Sequence, residues 1–342
     1  MNQIVKWGII GLGNIAFEFA KAFNASDNAQ LIALASKSKV KLDEFGKNFN
    51  IKKENLFNDY NEIIENNNID IFYIALTNNL HFDLILKLLD KKRNILVEKP
   101  AFLTIKQAEK VFNKKNFENI FFSEGYMYMY HPQIIELINN IKSGQIGDLV
   151  EMETSFGSNL IYKKNAFGFK KTKFDTNKRI FNKNLGGGVI LDLGCYTTSM
   201  SLMIASLKES IEVSNFKVED IKTEYLTKDI DVDSSAKIVF DNKFYSLIKT
   251  SFTKEIGFKT TIIGNQGQIE IENSWNPKRS VLKILGKKNK LKEFKEIKNI
   301  YALEIDNISK DIIESKTQAS FPGISKKNIL LNSKIITDWM NA

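Results

Sequence analysis

Near its N-terminus the chain reads Ile4-Val5-Lys6-Trp7-Gly8-Ile9-Ile10-Gly11-Leu12-Gly13-Asn14-Ile15-Ala16, an apolar run that leads into a G-x-G-x-x-A sequence. The apolar run predicts a buried strand, and Ile15, Phe19 and Phe23 then recur at helical spacing. A strand, a glycine turn and a helix in this order are the context that a dinucleotide-binding fingerprint requires. The sequence therefore predicts a doubly wound α/β fold that binds a dinucleotide.

Each position of the glycine turn has its own physical reason. Gly11 permits the tight turn, and Gly13 lets the backbone approach a pyrophosphate. Asn14 and Ile15 begin the helix whose N-terminus faces the phosphate. Ala16 is small enough for the helix to pack closely on the strand. These residues are the predicted pyrophosphate site.

The second strand, Leu31–Ala35, is followed by Ser36-Lys37-Ser38. An NAD-specific site usually has Asp or Glu at this point, which binds the ribose 2′-hydroxyl. Hydroxyls and a cation favour a 2′-phosphate instead, so Ser36 and Lys37 predict a preference for NADP over NAD. In the alternative interpretation Lys37 only begins the next helix.

Polar residues also follow the apolar strand Ile71–Leu76. Thr77, Asn78 and His81 lie at this strand–helix junction, so they are predicted to line the cofactor site. A lone histidine in a first helical turn is more often structural, and that alternative stays open for His81.

The next strand ends in a charged pair, within Ile95-Leu96-Val97-Glu98-Lys99-Pro100. The run Ile-Leu-Val is typical of a parallel strand that is buried on both faces. In open α/β sheets, ligands bind beyond the carboxyl ends of the strands. Glu98 and Lys99 are therefore predicted at the cofactor. A lysine that is partly desolvated there has a lowered pKa and can serve in proton transfer; a solvated strand end is the alternative.

Strands and helices alternate over residues 1–122, which predicts a doubly wound parallel sheet in a first domain. From about Val218 strands follow one another with alternating polarity, so residues 123–342 are predicted to form an α+β domain with a large, open, mostly antiparallel sheet. Helices near Ala302–Ser315 and Lys326–Met340 end the chain. The C-terminal helix can pack back on the first domain.

The second domain has one notable polar pair, after a segment 163–184 that is predicted to be a loop. Gly186-Gly187-Gly188 leads into an apolar helical stretch on which Asp192 and Tyr196 lie four residues apart and so share a face. A carboxylate and a phenol on an apolar helix indicate a functional site, although structural hydrogen bonding is the alternative. Cys195 points elsewhere and is predicted to be a core residue.

Composition excludes several classes of protein. The single cysteine excludes a disulfide framework and fits a cytoplasmic location. Two histidines exclude a multi-histidine metal centre, so no metal is expected. No apolar run near about 18 residues stands out, so no membrane span is predicted. The net charge of +9 comes from lysines spread along the chain, and nucleic-acid binding is therefore not expected.

Taken together, these motifs resemble the Gfo/Idh/MocA oxidoreductases over essentially the whole chain. The resemblance rests on the glycine fingerprint, on Glu98-Lys99-Pro100, on residues 124–132, and on the three glycines with Asp192 and Tyr196. The run from Arg179 into the glycines is most similar to the branch of dimeric dihydrodiol dehydrogenases and NADP-dependent xylose dehydrogenases.

The resemblance implies an NAD(P)-dependent dehydrogenase that transfers a hydride between a nicotinamide and a carbinol carbon of a sugar, polyol or cyclic diol. It implies that Lys99 orients the substrate, that Tyr196 is the proton donor or acceptor, and that Asp192 helps bind the substrate. Tyr126 and Arg179 are further candidate substrate contacts. The family often has Arg at the position of Met129, so charge-mediated contacts near it do not carry over.

Two alternatives to this function stay open at the level of the sequence. The substrate can be a nucleotide sugar rather than a free sugar, or the chain can be a glycoside hydrolase that retains its nicotinamide. The resemblance also implies a homodimer or homotetramer formed through the C-terminal sheet, with a small molecule as the substrate.

Overall fold

The computed structural model describes residues 3–164, 168, 170–172, 174–175, 178–277, 279–297 and 299–341. Phe167, within the predicted loop 163–184, lies outside the described residues.

The first part of the chain alternates strands with helices, as the sequence predicts. In order these are β1 Val5–Ile10, α1 Asn14–Ala22, β2 Ala29–Ala35, α2 Lys39–Asn48, β3 Leu56–Phe57, α3 Tyr60–Ile64, β4 Ile71–Ile74, α4 Asn78–Asp90, β5 Asn94–Glu98, α5 Ile105–Phe112 and β6 Phe122–Gly125.

The remaining elements are mostly strands. They are α6 Pro132–Lys142, β7 Leu149–Gly157, β8 Tyr162–Lys164, β9 Lys170–Thr172, α7 Cys195–Ala205, β10 Phe216–Thr227, β11 Ile230–Phe240, β12 Tyr245–Ser251, β13 Thr260–Gly264, β14 Gly267–Ile271, β15 Ser280–Leu285, β16 Lys290–Phe294, α8 Ile300–Ile313 and α9 Lys326–Met340.

The chain divides into two compact units. The first comprises Met1–Phe102, Lys106–His131 and Lys298–Leu330, and the second comprises Leu103–Ile105, Pro132–Ile297 and Leu331–Ala342. The division assigns residues 123–131 and helix α8 to the first unit, whereas the sequence analysis placed its boundary between residues 122 and 123.

The first unit contains a six-stranded sheet in the order β3-β2-β1-β4-β5-β6. All of its strand pairs are parallel. This order is that of a dinucleotide-binding doubly wound sheet, in which ligands bind where the order reverses, at the carboxyl ends of β1 and β4. The predicted fold of the N-terminal half is confirmed.

Helix α8 completes the core of this unit from nearly 300 residues further along the chain. Trp7 of β1 is fully buried, and its ring lies 5.8 Å from that of Phe19 and 5.9 Å from that of Phe23. Its indole N–H donates to Ser309 Oγ of α8 at 3.0 Å. Ile305 of α8 is also fully buried in this cluster. Packing on α1 therefore explains why α8 belongs to the first unit.

The second unit contains an eight-stranded sheet in the order β10-β11-β12-β7-β13-β14-β15-β16. Its pairs are antiparallel except for β12 with β7. Burial alternates along β11 and β13, so one face of each strand contacts the core. The predicted large, mostly antiparallel sheet is confirmed.

Two local features differ from the sequence predictions. Strands β8 and β9 pair as an antiparallel hairpin within the segment predicted to be a loop. Residues Ile190–Gly194 form one turn of π-helix before α7. Wide turns of this kind are frequent at functional sites, and this one contains Asp192.

Among the described residues, one helical run, Lys183–Ala205, is long and apolar enough to cross a membrane by length and composition, with a mean hydropathy of 1.3. The sequence analysis did not single it out. However, 94% of the window that qualifies is buried inside the protein. Burial of this extent is typical of a core helix.

Candidate active site

The glycine turn joins β1 to α1 as predicted. Gly11 has φ +95°, and a Cβ there would lie 2.6 Å from the Ala75 carbonyl oxygen. At Gly13 a Cβ would meet nothing within 4 Å, so this side of the turn is open. In the described structure no side chain caps α1, and its first turn has no acidic residue. An open turn followed by an uncapped helix N-terminus fits an anionic pyrophosphate.

A cavity of about 430 Å³ lies beside this turn. Its lining includes Gly13, Asn14 and Lys41, and also the acidic residues Glu18 and Glu44. Asn14 is exposed and Ile15 is partly buried. The predicted pyrophosphate residues are thus brought together at one end of α1. They would hold the phosphates of a nicotinamide dinucleotide, whose C4 position supplies the hydride acceptor of the reaction.

The residues predicted to hold a 2′-phosphate lie in different environments. Ser36 is buried, and its Oγ accepts a hydrogen bond from the Ser38 amide at 3.1 Å. The Lys37 side chain is 62% exposed, and its Nζ lies 3.8 Å from Asp59 Oδ1 and 5.1 Å from the centre of the Tyr60 ring. Lys37 is therefore available to an incoming anion, whereas Ser36 shapes the turn.

The residues predicted to line the cofactor site after β4 differ in position and burial. Thr77 lies at the N-cap position of α4, and its hydroxyl bonds Asn79 Oδ1 at 2.8 Å. Asn78 is 5% exposed. His81 is fully buried, with Nδ1 3.0 Å from the Pro100 carbonyl oxygen and Nε2 3.1 Å from that of Leu76.

His81 thus connects the loop after β4 to the loop after β5. Both of its ring nitrogens are directed at backbone carbonyls, so in this structure the ring holds two strand ends in place. Its contact with a cofactor stays a prediction, as do those of Thr77 and Asn78.

Glu98 and Lys99 lie at the carboxyl end of β5, where the sequence placed them. Glu98 is buried and accepts a hydrogen bond from the Tyr73 hydroxyl of β4. Burial raises the pKa of Tyr73 well above its usual value, and the Glu98 charge raises it further. Lys99 is partly exposed.

Beside this pair lies a buried carboxyl group that the sequence analysis did not assign to the site. Glu124 of β6 is 4% exposed. Its Oε1 accepts from the Ala101 amide at 2.8 Å and from the Tyr126 hydroxyl at 3.3 Å. Burial raises the pKa of Glu124 from 4.5 to about 7, while its hydrogen bonds and Lys99 act in the opposite direction.

The contact with Glu124 gives Tyr126 an observed role. Its side chain is 1% exposed, and its hydroxyl is directed at Glu124. Tyr126 therefore supports that carboxyl group in this structure, and its contact with a substrate stays a prediction.

Glu304 of α8 is a second unassigned carboxyl group of the first unit. It is 1% exposed, and its Oε1 has no hydrogen-bond partner among the described residues. Burial raises its pKa well above the usual value, and the Glu98 charge adds to the shift. Helical spacing could have revealed it, because Ile300, Glu304 and Ile308 follow at intervals of four on the buried side of α8.

In the second unit, the π-helical turn presents Asp192 to Arg179. Arg179 Nη2 donates to Asp192 Oδ1 at 2.5 Å, and the side chains are 30% and 14% exposed. The structure thus brings together two predicted substrate-binding residues that are 13 positions apart. Arg179 Nη1 is buried and has no hydrogen-bond partner among the described residues.

The helix that carries Asp192 and Tyr196 is anchored at its start by Asp231. Asp231 Oδ2 accepts from the Ile190 amide at 2.7 Å. Gly188 has φ +113°, and a side chain there would collide with the Asp231 carboxyl group. Burial raises the pKa of Asp231, although backbone amides oppose the shift. The glycine is therefore needed for the helix start to approach this carboxyl group.

Tyr196 lies in an aromatic wall. Its ring is edge-on to Phe156 at 5.2 Å and to Trp275 at 5.8 Å. Phe156 and Trp275 stack on each other at 5.6 Å, and the indole N–H of Trp275 donates to the Ser155 carbonyl at 2.9 Å. Tyr196 is 6% exposed and Cys195 is fully buried. These contacts fix the orientation of the phenol ring.

Within the part of the chain that the structure describes, no group of three or more His, Cys, Asp or Glu side chains is arranged to hold a metal ion.

Two family matches cover most of the chain. Residues 5–125 match the oxidoreductase family with an NAD-binding Rossmann fold, and residues 134–270 match the Gfo/Idh/MocA C-terminal domain. The chain belongs to the Gfo/Idh/MocA oxidoreductases. The predicted class is confirmed: this oxidoreductase is an NAD(P)-dependent dehydrogenase that acts on CH–OH groups.

Named relatives agree with the branch that the sequence predicts. The chain is 26% identical over 277 residues to trans-1,2-dihydrobenzene-1,2-diol dehydrogenase of Xenopus tropicalis, covering 80% of this chain and 77% of that protein. It is 29% identical over 205 residues to the D-xylose 1-dehydrogenase (NADP(+)) of Hypocrea jecorina, covering 56% of this chain and 51% of that protein.

Solved structures share the fold. An aldose-aldose oxidoreductase from Caulobacter crescentus, complexed with glycerol, matches with a TM-score of 0.83 at 19% identity, over 98% of this chain and 96% of that chain. A 3-ketoreductase from Actinomadura kijaniata, complexed with NADP and TDP-benzene, matches with a TM-score of 0.80 at 17% identity over the same shares.

The raised pKa of Glu124 predicts a pH dependence of stability. Its contribution to the free energy of unfolding is fully present below pH 4.5 and is lost as the pH rises to about 7. Glu124→Gln is neutral at every pH and can accept the same hydrogen bonds. Between pH 4 and 8, wild-type stability should therefore fall relative to the variant by on the order of 3 kcal/mol.

Urea unfolding of both proteins across this pH range measures the difference. Glu18→Gln, at an exposed position of α1, is the matched control and should follow the wild type. Parallel curves for wild type and Glu124→Gln would show that Glu124 does not titrate in this range.

Proposed function

We propose that this oxidoreductase interconverts a carbinol and a carbonyl group on a sugar, polyol or cyclic diol, with NADP preferred over NAD. The observation that carries the proposal is the ion pair between Arg179 and Asp192, of which Asp192 lies on the helical run that continues to Tyr196, in a chain whose other unit has an open glycine turn. Names of relatives support the substrate class, because they include a dihydrodiol dehydrogenase and a xylose dehydrogenase.

The preference for NADP rests on Lys37. Its side chain is largely exposed just beyond β2, the position at which a cation favours a 2′-phosphate. The xylose dehydrogenase relative is named for NADP. Asp59, 3.8 Å from the ammonium group, holds Lys37 in place without burying it.

Lys37→Ala tests this preference. Loss of one charge-assisted contact should weaken NADPH binding by roughly tenfold or more, because such contacts contribute about 1.5–3 kcal/mol. NADH binding should change little. Fluorescence titration of both cofactors gives the two dissociation constants, with Lys21→Ala, another exposed lysine of the same unit, as the control. Equal weakening of both would contradict a 2′-phosphate contact.

The substrate contacts are proposed to come from Arg179 and Asp192. The guanidinium holds the Asp192 carboxylate through Nη2, and its buried Nη1 still has a proton to donate. The exposed part of the pair, 30% of the Arg179 side chain and 14% of that of Asp192, is open to a substrate hydroxyl. A paired cation and carboxylate can in this way bind a polyol, which offers both donors and acceptors.

Lys99 and Tyr196 are the proposed acid–base groups. Oxidation of a carbinol removes a hydride from carbon and a proton from oxygen, and a positioned base for the proton typically contributes about 10²–10⁴-fold. Tyr196 is proposed to exchange this proton, and its aromatic wall fixes the ring. Lys99 is proposed to orient the substrate hydroxyl through its ammonium group.

We expect Tyr196→Phe and Lys99→Ala each to reduce turnover by more than about tenfold, because each removes one proton-handling or orienting group. NADPH affinity should survive in Tyr196→Phe. Tyr225→Phe, which removes the hydroxyl of an exposed tyrosine, is the control. Steady-state kinetics with the best substrate of an aldose, inositol and dihydrodiol screen measures the effect, and full turnover in either variant would refute its role.

A nucleotide sugar is the second candidate substrate. The chain carries a net charge of +9, which favours an anionic ligand. It is also 25% identical over 197 residues to a dTDP-3,4-didehydro-2,6-dideoxy-alpha-D-glucose 3-reductase of Saccharopolyspora spinosa. Including nucleotide sugars in the same screen separates this candidate from a free sugar.

We further propose that the chain forms a homodimer or homotetramer through the sheet of the second unit. Its proposed location is the cytoplasm. Side chains of β7, β12 and β13 form an open depression of about 370 Å³ on this sheet, including Glu153, Lys249 and Thr261. A surface of mixed charge can pair with a second copy of itself.

A further inference from the structure

The parallel register of the first sheet sets Glu124 beside the strand end that carries Lys99. Val97 of β5 is paired with Glu124 of β6, and Glu98 with Gly125. A Cβ added at Gly125 would lie 3.5 Å from Glu98 Oε1. This is an ordinary van der Waals distance, so the Glu98 carboxyl group lies next to β6, and Glu98 and Glu124 belong to neighbouring strands.

Glu124 also holds the backbone on the far side of Lys99. Its Oε1 accepts from the amide of Ala101, two residues beyond Lys99. The same oxygen accepts from the Tyr126 hydroxyl. One carboxyl group thus fixes the turn in which Lys99 lies, and a single oxygen of this buried side chain accepts from both donors.

The charges around Glu124 come from several elements. Glu98 of β5 raises the pKa of Glu124, whereas Lys99 lowers it. Glu98 in turn interacts with two further residues. The Tyr73 hydroxyl of β4 donates to Glu98, and the Glu98 charge raises the pKa of Glu304 of α8. Carboxyl groups buried so close together do not all ionise, because each charge opposes the next.

We propose that Glu124 is a positioning residue for Lys99, which fixes the Lys99–Ala101 turn and adjusts the charge on the lysine. In this arrangement ionised Glu124 favours the ammonium form of Lys99, and protonated Glu124 no longer does so. The inference rests on the proposed function only in that Lys99 acts on the substrate; the coupling between the two side chains exists without substrate.

The first experiment measures the pKa of Lys99 in the full-length protein. Labelling with acetic anhydride across pH 7 to 11, followed by peptide mass spectrometry, gives the midpoint for this partly exposed lysine. In Glu124→Gln, which can still accept both hydrogen bonds, the midpoint should fall by roughly half a pH unit or more, because an anion is lost from its surroundings. Glu18→Gln is the control and should leave it unchanged.

The second experiment measures the same coupling from the other side and does not depend on the folding of Glu124→Gln. Carbon-13 resonances of glutamate carboxyl groups follow the titration of Glu124 in wild type and in Lys99→Ala. Reciprocity requires that loss of the ammonium raise the pKa of Glu124 by a similar amount. Lys21→Ala is the control. If Glu124 had only a structural role, Glu124→Gln would leave the Lys99 midpoint unchanged, and Lys99→Ala would leave the pKa of Glu124 unchanged.

An unchanged Lys99 midpoint in folded Glu124→Gln, or an unchanged Glu124 pKa in Lys99→Ala, would overturn the inference. Neither measurement uses a substrate. A wild-type enzyme that transfers no hydride to any carbonyl compound would instead overturn the proposed function and leave the coupling between Glu124 and Lys99 in place.

Discussion

The parallel alignment of β1, β4, β5 and β6 is the constraint on which the first unit depends. Ile10, Ile74, Val97 and Glu124 lie in one row across these strands. The next residues along each strand therefore emerge at the same edge. This geometry brings the glycine turn, the residues after β4 and the Glu98–Lys99 pair to one end of the sheet. The alignment of these four strands therefore determines which of the predicted cofactor residues lie at the same end of the sheet.

Burial of charge is the second constraint. The first unit encloses Glu98, Glu124 and Glu304, and each loses hydration that hydrogen bonds replace only in part. Such groups cost stability, so their presence near the strand ends indicates a role in setting local charge. In the second unit the buried carboxyl group of Asp231 has a different role. It accepts a hydrogen bond from the backbone at the start of the helix that carries Asp192 and Tyr196.

Much of this could be predicted from the sequence, because the signals were local. The glycine turn, the apolar strands and the alternation after residue 218 each follow from spacing, and the fold and family were confirmed. The pairing of β8 with β9 and the π-helical turn could not be predicted in the same way. Both depend on contacts between residues that local periodicity does not report.

The residues of the candidate site could likewise be predicted from the sequence only in part. Lys99 could be named because it follows a strand end, Asp192 because it follows three glycines, and Arg179 because the run that leads into those glycines resembles the family. The inward direction of Ser36 and the two carbonyl contacts of His81 depend on tertiary packing. Glu304 is buried in the first unit because α8 packs on α1, a contact between distant parts of the chain. The roles of these residues in binding and catalysis remain predictions.

Transfer of deuterium tests the central claim most directly. The enzyme is incubated with NADPH that carries deuterium at both C4 positions and with a panel of sugar and diol carbonyl compounds, and the products are analysed by mass spectrometry. We expect a carbinol with one carbon-bound deuterium for each NADPH consumed. Product without carbon-bound deuterium, or glycoside cleavage with no net consumption of NADPH, would contradict it.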